Sequence, residues 1–201
     1  MERFVIVDDS DAVVFGPTGW SPYAFGQKLR ELLEALDGEI GSVAVGVEAP
    51  TSAQTWEGCP FRVLPCLILG GYDPATQVLG VPVVNGDVAT VAAVDKPLAE
   101  VQALRIGETK SEARRRILAI APEWKQANLT ARAAELTLLF PGVKGVEFEE
   151  PYRSEYMAGQ AIWDQIKVLR EASNVREAWI VAKGRTVADL RSMANAPGWA
   201  E

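Results

Sequence analysis

The feature that most constrains the fold is a change in sequence texture near residue 96. Before this point, short β-branched runs alternate with Gly, Pro, Asn and Asp, a pattern typical of strands and turns. After it, long stretches rich in Ala, Leu, Arg and Glu predict helices. We therefore predict an α+β chain: a small β-rich domain with one helix over residues 1–96, then an α-helical hairpin or bundle region over residues 97–201.

The charge of the chain follows the same division. Residues 1–96 carry 13 acidic and 5 basic side chains, a net charge of −8, whereas residues 97–201 carry 14 acidic and 15 basic side chains, a net charge of +1. The total of −7 argues against a general nucleic-acid binder, because phosphate binding needs a basic face. We expect a partner, or a second copy of the chain, to recognise this asymmetry.

Composition excludes several classes of site. The chain has no histidine and two cysteines, which excludes Ser-His and Cys-His nucleophiles, imidazole metal sites and a four-thiolate zinc site. No stretch has the pattern of a signal peptide or of a bilayer-spanning segment. We predict no catalytic residue, cofactor, metal or membrane contact. Folding in a cytoplasm would leave Cys59 and Cys66 reduced, as small core residues.

In the N-terminal region, strands are predicted at residues 4–7 and 12–15, and a hairpin is expected to close at residues 16–19. Ser21 is a candidate helix cap, and apolar residues at helical spacing then continue as far as residues 37–38. Further strands are predicted at residues 42–47, 62–69, 78–83 and 88–94. Asn85-Gly86 is the clearest hairpin turn.

The polar turn at residues 8–11 holds three acidic side chains, Asp8, Asp9 and Asp11. A solvated turn is the first interpretation, since Asp and Ser bond readily to their own backbone. A calcium loop is disfavoured because the required Gly and distal Glu are missing. A carboxylate-dependent hydrolase remains an alternative, and loss of activity in Asp9→Asn with folding intact would support it.

Three main helices are predicted after residue 96. Asp95 is a candidate cap for the first, which is expected to break near residues 107–109 and restart at Ser111. The second follows Pro122, and the third begins at Ser154 with an apolar stripe that includes Ile162 and Ile166. A final short helix is expected from Thr186, with Asp189 completing a capping box.

The second of these helices carries a stripe of mostly small residues. Its members recur every three or four positions: Trp124, Ala127, Ala131, Ala134 and Leu138. Such a stripe suits close helix–helix approach, either within the chain or between copies of it.

Arg114-Arg115-Arg116 is the most basic point in the sequence. One interpretation is a solvated helix face partnered by Glu108 and Glu112. The alternatives are a docking patch for an acidic partner or, less in keeping with the charge, a nucleic-acid contact. Tryptophans are enriched at interface hot spots, although core packing is the alternative for each. The candidate interface residues are Trp20, Trp56, Arg114, Arg115, Arg116, Trp124, Ala131, Ile162, Trp163 and Ile166.

Three stretches resemble proteins encoded in the tail modules of tailed bacteriophages. They are YDPATQVL at residues 72–79 leading into VVNGDV at 83–88, APEWKQANLTARAAEL at 121–136, and AIWDQIKVLREAS at 161–173. The resemblance covers about half the chain, and residues 174–201 lie beyond it. It implies a non-enzymatic accessory protein of the tail, baseplate or tail-fibre region, located in the virion and assembled in the bacterial cytoplasm.

The same resemblance implies partners and an alternative function. The expected partners are other phage tail proteins, with a possible homo-oligomer through the helical region and no nucleic acid or membrane. The alternative is a transient tail-fibre assembly chaperone that is absent from the mature virion. The resemblance supplies no catalytic motif, so no active residue is assigned from it.

Overall fold

The computed structural model describes residues 3–36, 49–56 and 59–199, so the strand predicted at residues 42–47 lies outside the described residues. The chain divides into two compact units, Met1–Lys96 and Pro97–Glu201. The first contains strands with one helix, and the second contains helices. The chain is thus α+β, with a β-rich N-terminal region followed by helices.

The N-terminal unit contains a six-stranded sheet. Its strands are β1 (Arg3–Asp8), β2 (Val13–Gly19), β3 (Phe61–Leu69), β4 (Gln77–Leu79), β5 (Val83–Asn85) and β6 (Val88–Asp95). The strand order is β2-β1-β3-β6-β4, and β5 also pairs with β6. Strands β3 and β6 are parallel, whereas the other pairs are antiparallel. The first residues of β6 pair with β5 and its last residues pair with β4.

One turn predicted in this sheet needs correction, and another is confirmed. The predicted hairpin around the turn at residues 8–11 is confirmed by the antiparallel pair of β1 and β2, but its predicted end at residues 16–19 is wrong, because β2 continues to Gly19. Gly16 has φ +96°, and a Cβ there would lie 2.5 Å from the Phe4 carbonyl oxygen, so glycine is needed for this close approach. The Asn85-Gly86 hairpin is confirmed, with Gly86 at φ +63° between β5 and β6. The strand predicted at residues 78–83 is instead two short strands separated by residues 80–82, which include Pro82.

Helix α1 (Pro22–Glu34) covers one face of the sheet. The Ser21 hydroxyl oxygen accepts a hydrogen bond from the Ala24 N–H at 3.2 Å, which confirms the predicted cap. Phe25 and Leu29 are fully buried against strand residues that include Phe4. The opposite face of the sheet buries a second apolar cluster that contains Cys66. Burial raises the pKa of the Cys66 thiol, as expected of a core cysteine.

The C-terminal unit consists of α2 (Leu98–Ile120), α3 (Glu123–Leu139), a 3₁₀ turn (Gly145–Glu147), α4 (Tyr152–Val181) and α5 (Val187–Ser192). The long helix α4 packs against both α2 and α3, and α5 packs against α2. Val101, Ile180 and Leu190 bring α2, α4 and α5 into one buried cluster. No helix among the described residues is both long and apolar enough to cross a membrane.

Several predicted helix boundaries in this unit need correction. Helix α2 does not break at Gly107, because a glycine costs only about 1 kcal/mol and the neighbouring Ile106 packs on the buried cluster. Asp95 does not cap it: its carboxylate accepts a hydrogen bond from the Gln77 amide at 3.1 Å. Helix α4 begins at Tyr152, before Ser154. The capping box of Thr186 and Asp189 at α5 is confirmed.

Candidate functional site

The most distinctive surface of the helical unit is a row of exposed residues along α3. We name it the α3 outer face and define it as Trp124, Ala127, Ala131, Ala134 and Leu138. All five are exposed, with Trp124 at 67 % and Leu138 at 82 % relative exposure. Of the two predicted alternatives, packing within the chain is not seen among the described residues, and packing between copies of the chain stays a prediction. The face carries one large apolar side chain at each end and alanines between them, an arrangement that suits contact with another helix.

Helix α3 uses a different face to pack against α4. Leu136 on that face is almost fully buried, and Leu129 and Ala133 are half-buried. Arg132 extends from the same face and forms two 2.8 Å hydrogen bonds to the Glu155 carboxylate on α4. Leucine buries more apolar area than alanine, so the leucine-bearing face gains more from packing than the Ala-rich outer face does.

The other apolar residues predicted as interface residues are buried or half-buried within their own unit. Trp20 packs against the N-terminal core, with its ring 5.1 Å from that of Phe25, and Trp56 packs against the same core. Both correspond to the core-packing alternative. Ile166 is fully buried on α4 and offers no surface, so it is a core residue. Ile162 and Trp163 are half-buried, and Trp163 lines a small cavity of about 60 Å³ between α3 and α4.

The three consecutive arginines are engaged with carboxylates of the same unit. Glu112 accepts hydrogen bonds from Arg115 at 2.7 Å and from Arg116 at 2.8 Å. These bonds lower the pKa of the Glu112 carboxyl to about 2, because they favour its charged form. Arg114 pairs instead with Glu123 at 2.7 Å. Glu112 is thus a partner as predicted, but Glu108 is not, because it pairs with Arg105 at 2.7 Å. The run lies on an internally paired helix face, with Arg114 directed toward α3.

The acidic turn at residues 8–11 is likewise occupied by local bonds. The Asp8 carboxylate accepts hydrogen bonds from the Ser10 hydroxyl and from the backbone N–H groups of Ser10 and Ala12, which lower the pKa of Asp8. Asp11 forms an ion pair with Arg62. These contacts hold the turn, and no group of three His, Cys, Asp or Glu side chains in the described ranges could hold a metal ion.

A cavity of about 320 Å³ opens between α2, α3 and α4, and we name it the basic cavity. Helix α2 contributes apolar side chains to it, among them Ile117 and Leu118. Three cations also line it, Lys110 and Arg114 from α2 and Arg170 from α4. Its single acidic lining residue is Glu123, which pairs with Arg114. The cavity thus combines an apolar lining with a positive charge.

The sequence pattern identified only part of this site. Arg114 stood out because it belongs to a run of arginines, and Trp124 lies next to the cavity residue Glu123. Lys110, Leu118 and Arg170 gave no signal, because each is an ordinary helix residue that gains its role from the packing of three helices. Trp199 lies outside the cavity lining, and its ring is 5.1 Å from the Arg116 guanidinium and 5.8 Å from that of Arg176.

Comparison with known proteins gives no family assignment. No family model matches the chain, and no curated protein and no solved structure is significantly similar to it.

Proposed function

We propose that this protein is a non-enzymatic structural component of a phage tail, in the baseplate or tail-fibre region, and that it acts through protein–protein contacts. The observation that carries the proposal is the α3 outer face, which exposes Trp124 and Leu138 on a long helix. Leaving such side chains in water forgoes the free energy that burial would give, about 1.5–3 kcal/mol for a large apolar side chain. A partner surface that covers this face recovers it.

The sequence resemblance supports the same proposal. The stretch at residues 121–136 that resembles phage tail-module proteins contains Trp124, Ala127, Ala131 and Ala134 of the α3 outer face. Alanines at this spacing permit close approach of another helix, and the tryptophan at one end supplies an anchor. The occupant would be another tail protein or a second copy of this chain. The location that follows is the virion tail, after assembly in the bacterial cytoplasm.

The first experiment measures the composition of purified phage particles. Particles from a host that produces this protein are banded by density and analysed by quantitative mass spectrometry. We expect the protein at a fixed copy number per particle, in constant ratio to the tail proteins. Peptides that are absent from banded particles but present in the lysate would overturn the structural role.

Particles produced without the gene distinguish the alternative. If the protein is absent from virions and the gene-deleted particles lack tail fibres, the protein is a transient assembly chaperone.

A second experiment tests the α3 outer face directly. Trp124→Ser with Leu138→Ser is expected to abolish incorporation while the protein stays folded. Tyr23→Ser is the matched control, since Tyr23 is equally exposed on α1, and its incorporation is expected to be unchanged.

A further inference from the structure

We propose that the basic cavity binds an acidic peptide segment of a partner tail protein. One large apolar side chain of this segment enters the cavity, and carboxylates before and after it in the segment contact the cations that line the cavity. This inference rests on the proposed function, because it specifies the chemistry of the partner. The α3 outer face is apolar throughout, whereas the basic cavity combines apolar and charged groups. It is therefore the more selective of the two surfaces.

The size and lining of the cavity favour a single side chain as the inserted group. Its volume of about 320 Å³ lies at the lower end of the ~300–1,000 Å³ range of ligand pockets. Ala113, Ile117 and Leu118 supply its apolar surface. A tryptophan, phenylalanine or leucine from a partner would bury apolar area there, and apolar area removed from water is the main favourable term in association.

The charges around the cavity select an acidic segment. Lys110, Arg114 and Arg170 are all exposed, and Arg170 forms no ion pair within the described part of the chain. Arg114 and Glu123 are each 72 % exposed, so their ion pair is weak and can exchange for another carboxylate. Lys110 has a longer contact, 3.5 Å to Glu177. Carboxylates on either side of the inserted side chain would meet these cations, whereas a basic segment would be repelled.

The test measures binding of a synthetic peptide to the full chain by fluorescence anisotropy at low salt. The probe is a dye-labelled peptide with a central Trp flanked by Glu and Asp on both sides. We expect saturable binding that weakens as salt rises. Replacing the peptide's acidic residues by Gln and Asn, or its Trp by Ala, is expected to weaken binding at least about tenfold each.

Protein variants then assign the binding to the cavity. Arg170→Glu is expected to weaken binding about tenfold, and Arg170→Gln about threefold, because they reverse or remove one exposed cation. Lys167→Glu is the matched control: Lys167 is exposed on the same helix but outside the cavity lining, and a change below about twofold is expected. Circular dichroism of each variant confirms that it folds.

Three results would overturn the proposal. The first is no saturable binding of the acidic peptide. The second is equal weakening by Arg170→Glu and Lys167→Glu, which would indicate only general charge attraction. The third is concentration-dependent self-association in sedimentation that Arg170→Glu abolishes, which would make a second copy the occupant. Virion composition is measured independently of peptide binding. If the protein is present in virions but does not bind the peptide, only the proposal for the basic cavity fails. If it binds the peptide but is absent from virions, the proposed structural role fails.

Discussion

The core of the N-terminal unit and helix α3 of the C-terminal unit place their large apolar side chains differently. In the N-terminal unit, Phe4 and Phe25 are fully buried. Trp20 packs edge to face against Phe4 and stacks on Phe25. In the C-terminal unit, Trp124 and Leu138 are largely exposed on α3. A sheet faced by one helix has a defined inside, whereas a long helix between few neighbours can bury only one of its faces. The aromatic cluster around Phe25 is thus buried within its unit, whereas one face of α3 stays exposed.

The largest effect is expected where the N-terminal unit packs most tightly. Phe25→Ala should lower the free energy of unfolding by about 3–5 kcal/mol, because it removes a buried ring and leaves a cavity. Urea unfolding of the full chain, followed by circular dichroism, measures the change. Tyr23→Ala on the same helix is 82 % exposed in the wild type, and should change stability by less than about 0.5 kcal/mol. Equal losses in the two variants would contradict the described core.

The next effect separates the two faces of α3. Leu136 is 1 % exposed and Leu138 is 82 % exposed, two residues apart on one helix. Leu136→Ala should destabilise the chain by about 3 kcal/mol, whereas Leu138→Ala should be close to neutral. Thermal unfolding of both variants decides the point. If Leu138→Ala were the more destabilising, the α3 outer face would be packed in solution and the contrast between α3 and the N-terminal core would fail.

A smaller loss of stability is expected when a helix cap is removed. Thr186→Ala removes the capping box of α5 and should cost about 1 kcal/mol, and Ser21→Ala should cost a similar amount at α1. Ser111→Ala is the control, because Ser111 is exposed within α2 and caps no helix. Its expected change is below about 0.5 kcal/mol, measured by urea unfolding. An equal loss in this control would show that the losses at Thr186 and Ser21 do not come from capping.

The smallest effect is a pH dependence at the arginine run. The pKa of Glu112 falls from 4.5 to about 2 in the folded chain, so its stabilisation is present above pH 4.5 and is lost as the pH falls toward 2. The Tm advantage of wild type over Glu112→Gln should therefore shrink across that interval. Glu171→Gln serves as the comparison, since Glu171 has no arginine partner among the described residues. A constant difference between wild type and Glu112→Gln would show that the bonds to Arg115 and Arg116 do not stabilise the fold.

Local signals predicted the parts of the fold that depend on neighbouring residues. The Ser21 cap, the Asn85-Gly86 turn and the Thr186 capping box each need only a few adjacent side chains, and all three are present. Helical spacing predicted the burial of Phe25, Leu29 and Leu33 on α1. Leu36 continues the same spacing, but the helix ends at Glu34 and Leu36 is 59 % exposed. Asp95 and Ser154 have the same capping chemistry, but Asp95 bonds to Gln77 and Ser154 bonds to Glu150. The Asp95 bond joins strands β4 and β6, which no local pattern indicates. The Ser154 bond is local, because Glu150 lies only four residues earlier and its carboxylate also accepts a hydrogen bond from the Ser154 N–H at 3.3 Å.

The candidate site was less predictable, because it depends on which helix faces meet. Apolar residues lie on two sides of α3, so periodicity identified a stripe without determining that the side bearing Leu136 would be buried. The basic cavity joins Lys110 and Arg170, which are 60 positions apart in the sequence, together with residues of α3. Nothing in the local sequence of either residue indicates that it lines a cavity.

The strand order limits how another chain could pair with the edges of the sheet. Strand β2 lies at one end of the strand order and contains Pro17, which has no N–H to donate, and its register against β1 is shifted twice. At the other end, β6 is covered by β4 and β5, each of three residues. Neither end of the described sheet presents a long, regular row of backbone donors and acceptors. Strand addition is thereby disfavoured, and so is edge-to-edge aggregation, which leaves recognition to side chains.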